Sequence, residues 1–565
     1  MFDCNKIILE ILLTLFLYYL WVNIRLVQKK RDNSICDVIL FIILLPFLFS
    51  VIGVLIVLVA FLWLYRTVIT VILKLSLGYE FFGVIKGMDV IMGCEDPKNS
   101  LIASIVIFKC DKTIAAFDLF KYFSKIVENV WSKSPQMGKF FTTINTYKGY
   151  LYLKKIKINV EDLVCTLPTV EGQLDKEQLL KLVGNYYYKP LPINNTGLWD
   201  IHIGTQPIKW REDEKNEKVQ YYPIFLRGHP VVGDRVTFVK LFTRALADFN
   251  EKHLEKLDVF HITQPKQSWI KKILQTVRLL FKIFVYFLSE VYVYCVIKRN
   301  DNSILCGRNT GNRELVQFLI DKDGSYFEKV KLIKQKCFST SFPEIIMTAF
   351  SASLFDYYKK YNQVCPDYIT AALPVIDSYQ RVIGVTSGQI VLKDVVLNNR
   401  FMYLQIKLPI NIAQNKQFDE NFPLLSRLNS IKEVTKLVKD SVESQVCDIL
   451  ITGIKSLLPL WFHKLHHSLR PSTILRLIPG PPTFSYVDGV FVVSDLMFMI
   501  PHILNLPLNL SSLTYENMLI LGLHCNTCII SQQSHLDEIL GNIYRYIDIL
   551  EKEVKYASSF YNICF

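Results

Sequence analysis

No glycine-rich phosphate loop, internal repeat or low-complexity tract occurs in the 565 residues. A nucleotide-cradling loop and a solenoid are therefore excluded. Zinc-finger cysteine spacing, a recognition helix and an interleaved aromatic-basic ribbon are also missing, so the formal charge of +13 does not point to nucleic acid. The 13 cysteines are odd in number and follow no framework, which fits reduced thiols facing a cytosol better than disulfides. Cys525 and Cys528 are the one close pair, in a run from Leu519 to Ile530 that reads as strand, and no second pair completes a zinc site. His463, His466 and His467 share a helical face without a carboxylate or Cys at ligand spacing. They read as a basic surface patch, and no metal is expected.

Charge is absent altogether from Val38 to Tyr65, 28 residues in which roughly 20 would suffice to cross hydrocarbon. Hydrophobic content of 51% and a mean hydropathy of +0.26 are high for a soluble protein, and the excess is concentrated near the start. Ile7 to Val22 is apolar too but carries Glu10, and no small-residue cleavage site follows. Residues 1–75 are thus read as a membrane anchor. Arg25, Lys29, Lys30 and Arg31 favour the cytosolic side, so a single crossing would place everything later in the lumen. Pro46 and Gly53 allow a re-entrant turn that keeps both flanks cytosolic. From Trp269 to Ile297, Lys271, Lys272, Arg278 and Lys282 mingle with apolar residues, as in a basic helix among headgroups or a plain linker helix. A basic chain with a greasy anchor suits an anionic cytoplasmic leaflet. Membrane lipid is the expected partner, and the endoplasmic reticulum or plasma membrane the expected location, with the main domain cytosolic.

The chemistry-bearing stretch is Leu226 to Arg235. Tyr221 to Phe225 before it reads as a strand, and Val236, Val239, Phe242, Leu246 and Phe249 after it recur at helical spacing. Asp234 is placed to cap that helix, because a short carboxylate accepts its first free N–H groups. A strand-turn-helix with a capping Asp needs no chemistry.

The same residues, His229-Pro230-Val231-Val232-Gly233-Asp234-Arg235, resemble the His-His-x-x-x-Asp-Gly signature of the chloramphenicol acetyltransferase-like superfamily. Within it they look most like the wax ester synthase/diacylglycerol acyltransferase family. Gly87-Met88-Asp89-Val90, Leu198-Trp199-Asp200, Asp301-Asn302 with Cys306-Gly307, Leu397-Asn398-Asn399-Arg400 and Pro479-Gly480-Pro481 carry the resemblance onward in family order. Ser341-Phe342-Pro343-Glu344 falls where the family opens a helix with Asn-Asp.

The resemblance implies an α/β fold of two chloramphenicol acetyltransferase-like sandwich halves, 85–255 and 301–565, with a tunnel at their interface and a linker at 256–300. Transmembrane or re-entrant hydrophobic segments precede them. It implies acyl transfer from acyl-CoA, a co-substrate with no further cofactor, to the hydroxyl of a fatty alcohol or diacylglycerol, giving wax ester or triacylglycerol. Asp89, Trp199, Arg235, Asn399 and Gly480 would line the substrate channel. In the family the second His is the general base, and here that position is Pro230. His229 takes the first His, Asp234 the loop-holding Asp, and Arg235 the final Gly. Two readings follow: an acyltransferase that uses His229 as base after a loop slip, or a catalytically inactive lipid- or acyl-CoA-binding protein on the same fold.

Overall fold

One helix, Ile35–Leu77, continues through 43 residues, about 64 Å at 1.5 Å each. It includes Pro46 and Gly53, so the expected re-entrant turn does not form. A helix satisfies its backbone groups internally and loses one hydrogen bond at a proline, whereas a turn in an apolar setting would leave several groups open. Large apolar side chains stand exposed along it, among them Ile39, Ile43, Val57, Phe61, Trp63 and Leu64. The stretch Val57–Glu80 is long and apolar enough to cross a membrane.

In this computed structural model the described residues fall within 14–94, 101–111, 116–192, 196–211, 219–248, 273–292, 314–361, 364–376, 396–412, 419–440, 443–465, 471–499 and 508–561, less scattered positions inside these stretches. From Arg66 onward one face of the long helix turns inward. Ile69 and Leu73 pack on Val84 and Tyr150, and buried Arg66 donates from Nη2 to the Ile85 carbonyl at 2.7 Å. Beside the other end, Val27, Val38, Phe41 and Tyr292 form a small buried cluster, and Asn23 Nδ2 donates to the Val285 carbonyl at 2.8 Å.

Strands β1 (Phe81–Val84), β3 (Thr142–Tyr147) and β4 (Tyr150–Lys155) make the small sheet on which the long helix rests, in the order β1-β4-β3. The N-terminal half is built on β2 (Ile102–Asp111), β5 (Val164–Leu167), β6 (Trp199–Gly204) and β7 (Val219–Gly228). Two late strands, β12 (Ser485–Tyr486) and β13 (Phe491–Met499), complete it as a six-stranded sheet, β12-β13-β2-β7-β6-β5. β13 pairs antiparallel with β2, from Val492 opposite Lys109 to Met499 opposite Ala103. Residues 485–499 therefore cross over from the C-terminal part of the chain, so the expected boundary at 301 does not separate the sheets.

The C-terminal sheet joins β8 (Glu314–Ile320), β9 (Tyr368–Ile376), β10 (Phe401–Pro409), β11 (Thr473–Ile478), β14 (Leu508–Tyr515) and β15 (Met518–Asn526) in the order β10-β9-β11-β14-β15-β8. Side chains alternate across its strands. Leu475, Leu510 and Leu521 face the helices Phe342–Lys360 and Gln533–Tyr561. Ile474, Leu513 and Ile520 face the other way and join Phe318, Ala372 and Tyr403 in the N-terminal core. The two halves thus share one apolar interface.

Local chemistry explains the substituted motif at 341–344. Ser341 and Glu344 form a reciprocal cap, with the Ser341 N–H donating to Glu344 Oε2 at 2.7 Å, and Pro343 sits in the first turn where its missing N–H costs nothing. Thr435 donates to the other Glu344 oxygen at 2.6 Å, which satisfies a buried carboxylate. His463 is fully buried, with Nε2 3.2 Å from the Leu458 carbonyl, so it belongs to the interior and not to a surface patch. His466 and His467 lie outside the described residues.

Candidate functional site

β7 delivers the motif. Its last residue, Gly228, pairs with Trp199 on β6, and the next N–H, that of His229, donates to the Leu198 carbonyl at 2.6 Å. The chain then turns through Pro230 to Gly233, and Asp234 stops the turn. Asp234 Oδ1 accepts from the Thr237 N–H at 2.8 Å, the helix cap that its position implied. The Asp234 N–H reaches the Asn398 carbonyl at 3.3 Å, tying the motif to the loop before β10.

That loop is the other half of the site. Asn399 donates from Nδ2 to the Pro230 carbonyl at 2.7 Å and to Asp89 Oδ1 at 2.8 Å, while its backbone N–H meets the same Asp89 oxygen at 3.0 Å. Lys139 closes the cluster, with Nζ 2.6 Å from Asp89 Oδ2 and 3.1 Å from the Leu397 carbonyl. Three distant sequence segments, Asp89, Pro230 and Asn399, are thus pinned together around one buried ion pair. Lys139 escapes sequence reading, because a single Lys in the run Met137-Gly138-Lys139-Phe140-Phe141 resembles a solvated loop residue. Its signal is the lack of any polar neighbour in that run.

His229 is entirely buried. Its Nδ1 accepts from the Val231 N–H at 3.2 Å, so the neutral ring carries its hydrogen on Nε2, and that atom meets no acceptor among the described residues. Burial, helped by the Lys139 ammonium, pulls the imidazole down to about 3. The ring is a neutral donor at any physiological pH.

Beside this loop lies an aromatic cavity of about 80 Å³. Phe108, Phe123, Trp131, Phe140, Trp199 and Phe238 contribute most of its rings, with Phe484 and Tyr486 reaching in from the crossing segment. Its wall includes Gly228, Phe140 and Phe238, the neighbours of His229, Lys139 and the Asp234-capped turn. The space suits about six water-sized groups, or a short run of methylenes. Trp199 is fixed by donating from Nε1 to the Phe140 carbonyl at 3.0 Å. At the polar end, Arg227 pairs with Asp200 through two hydrogen bonds, one of 2.9 Å. Burial would raise the Asp200 carboxyl, but hydrogen bonds from His202 and Arg227 hold it below the usual range. The cavity lies within the N-terminal half's layers.

Of the expected channel residues, Asp89 and Asn399 meet in one cluster and Trp199 lines the cavity. Gly480 stands elsewhere, packed so tightly on β14 that a Cβ would lie 1.7 Å from the Thr514 carbonyl oxygen. Its N–H donates to Thr514 Oγ1 at 3.0 Å. Arg235, Arg400, Pro479 and the turn from Asp301 to Gly311 lie outside the described residues. Among the described residues no three His, Cys, Asp or Glu gather as metal ligands.

Residues 397–545 match the WS/DGAT C-terminal domain family. No curated protein matches the chain. Among solved structures, the trichothecene 15-O-acetyltransferase TRI3 of Fusarium sporotrichioides aligns at 11% identity and a TM-score of 0.54, over 82% of this chain and 95% of its own. The wax ester synthase/diacylglycerol acyltransferase of Marinobacter aquaeolei VT8 aligns at 13% identity and a TM-score of 0.48, over 83% of this chain and 100% of its own. The match to the WS/DGAT C-terminal domain family thus covers residues 397–545, the part of the chain that holds Asn399 and the loop that meets the His229-Pro230 turn.

Proposed function

We propose that this chain is a membrane-held lipid- and acyl-CoA-binding protein on the acyltransferase fold, and that it does not perform the family's base-assisted transfer. The observation that carries the proposal is the state of His229. A general base needs a free lone pair and a pKa near the working pH. His229 spends its Nδ1 lone pair on the Val231 N–H, presents a hydrogen from Nε2, and is held at about 3. Pro230 offers no proton acceptor beyond a carbonyl already bonded to Asn399. The slipped-base alternative therefore asks a weak, wrongly oriented donor to do the work of an imidazole tuned near neutrality.

Membrane attachment is supported by the exposed apolar surface of Ile35–Leu77 and by Ile273, Leu274, Val277 and Phe281 on the basic segment. The aromatic cavity supports an acyl or alkyl chain as the ligand. The test is a paired measurement on the full-length protein: binding of palmitoyl-CoA, and ester formation from it with hexadecanol or diacylglycerol. Binding without turnover is expected. Turnover that disappears in His229→Ala establishes the slipped-base enzyme instead.

A further inference from the structure

We infer that Arg476 and Tyr403 form a binding site for an oxyanion, a carboxylate or a phosphate, on the face of the C-terminal sheet that meets the N-terminal half. The inference rests on the lipid-binding reading above for the presence of a chain-bearing ligand, and adds the charge of its head group.

Arg476 lies on β11, third strand of six, two residues from Ile474 and therefore on the same face. Ile474 and Tyr403 both belong to the core shared with the N-terminal half, which fixes that face as the inner one. Arg476 is 4% exposed. Taking a guanidinium out of water costs several kcal/mol unless acceptors surround it. Its described partner is one phenol: Nη2 donates to Tyr403 Oη at 2.8 Å. Among the described residues no carboxylate stands within ion-pair distance of it.

Three other buried cations among the described residues are better served. Arg227 has Asp200 and the Tyr186 and Lys189 carbonyls, and Lys139 has Asp89. Arg427, also without a carboxylate, has the Ser351 hydroxyl, the Ile410 carbonyl and the Phe355 ring. Arg476 keeps most of its five N–H groups for something else, as does Arg66 on the long helix, whose described acceptor is the Ile85 carbonyl; of the two, Arg476 is the one on the face between the sheets. Tyr403 adds to them, because its oxygen accepts from Arg476 and its own hydrogen meets no described acceptor. On the opposite side Ser511 faces Arg476 across β14 and donates to the Gly522 carbonyl, so it supplies no counter-charge.

A cluster of donors with no acceptor recognises an acceptor-only ligand, and the planar guanidinium fork matches the two oxygens of a carboxylate or phosphate. Tyr403 lies on β10, the strand that follows the loop holding Asn399. On the lipid-binding reading, an anion held there is the head group of a chain-bearing ligand. The ligand is then a charged lipid, unlike the neutral alcohols and diacylglycerols that the family resemblance implied.

The experiment uses full-length protein in a non-ionic detergent with three probes that share one chain and differ in head group: palmitate, 1-palmitoyl-lysophosphatidate and hexadecanol. At least one anionic probe should bind. Arg476→Met should weaken it tenfold to hundredfold, and Tyr403→Phe severalfold, with hexadecanol unchanged in both. Palmitate alone would assign a carboxylate, lysophosphatidate alone a phosphate. If Arg476→Met does not fold, Arg476→Lys and Tyr403→Phe carry the test, with a smaller loss expected in each. Anion binding that is absent in the unaltered protein, or indifferent to these changes, overturns the inference. Failure of hexadecanol and palmitoyl-CoA to bind, with palmitate binding still dependent on Arg476, counts against the wider reading and leaves the oxyanion site standing.

Discussion

Replacing His229 by Asn should flatten the protein's loss of stability in acid. The folded imidazole sits at about 3, and the unfolded one near 6.5. A histidine whose pKa is depressed on folding contributes its full share of stability above the unfolded value and loses it as pH falls toward the folded one. Between pH 7 and pH 5 the unfolded chain takes up about three-quarters of a proton at this position while the folded chain takes up almost none. Over the roughly 1.5 pH units below 6.5, at 1.36 kcal/mol each, the folded state loses about 2 kcal/mol. Asn places an amide oxygen near the Nδ1 position, where it can still accept from the Val231 N–H, but it does not titrate. The measurement is the melting temperature of each protein in detergent at pH 7, 6 and 5. The unaltered protein should lose more than His229→Asn by an amount worth about 2 kcal/mol. Parallel losses in the two proteins would mean that His229 is hydrated or charged in the fold, and the case against it as a base would lose its foundation.

Lys139→Met should destabilise by about 3 kcal/mol, since it strands the buried Asp89 carboxylate, and Asp89→Asn in the same chain should recover much of the loss; denaturant melts of both variants check this. Removing residues 1–65 should release the protein from membranes while keeping it folded, because inward packing of the long helix begins at Arg66 and Ile69. Flotation with and without high salt checks it, and retention through a salt wash would assign anchoring to the segment from Trp269.

Local residue choices made part of this legible in advance. The His229-Pro230 turn between a strand and a capped helix could be read directly, because capping and periodicity act over a few residues. The family resemblance singled out Asp89 and Asn399 as separate channel residues, and neither it nor any local rule paired them. Two features could not be read. Phe491–Met499 is an apolar strand by composition, but nothing in it names β2, almost four hundred residues earlier, as its neighbour. Lys139 looks solvated until the fold closes over it. Asn509 shows the converse, since its Asn-Leu-Ser sequon reads as a glycan acceptor yet the side chain is fully buried in β14. The lack of a glycan there would carry no information about topology.

If a missing base, and not a missing scaffold, keeps this chain silent, restoring the base restores turnover. Pro230→His with Arg235→Gly rebuilds His-His-x-x-x-Asp-Gly on the existing strand and helix, with Asn399 still able to hold the carbonyl of residue 230. Ester formation from palmitoyl-CoA and hexadecanol, measured in membranes beside the unaltered protein, should rise by about two orders of magnitude or more. An unaltered protein that already turns over, and loses that turnover on His229→Ala, would contradict the account.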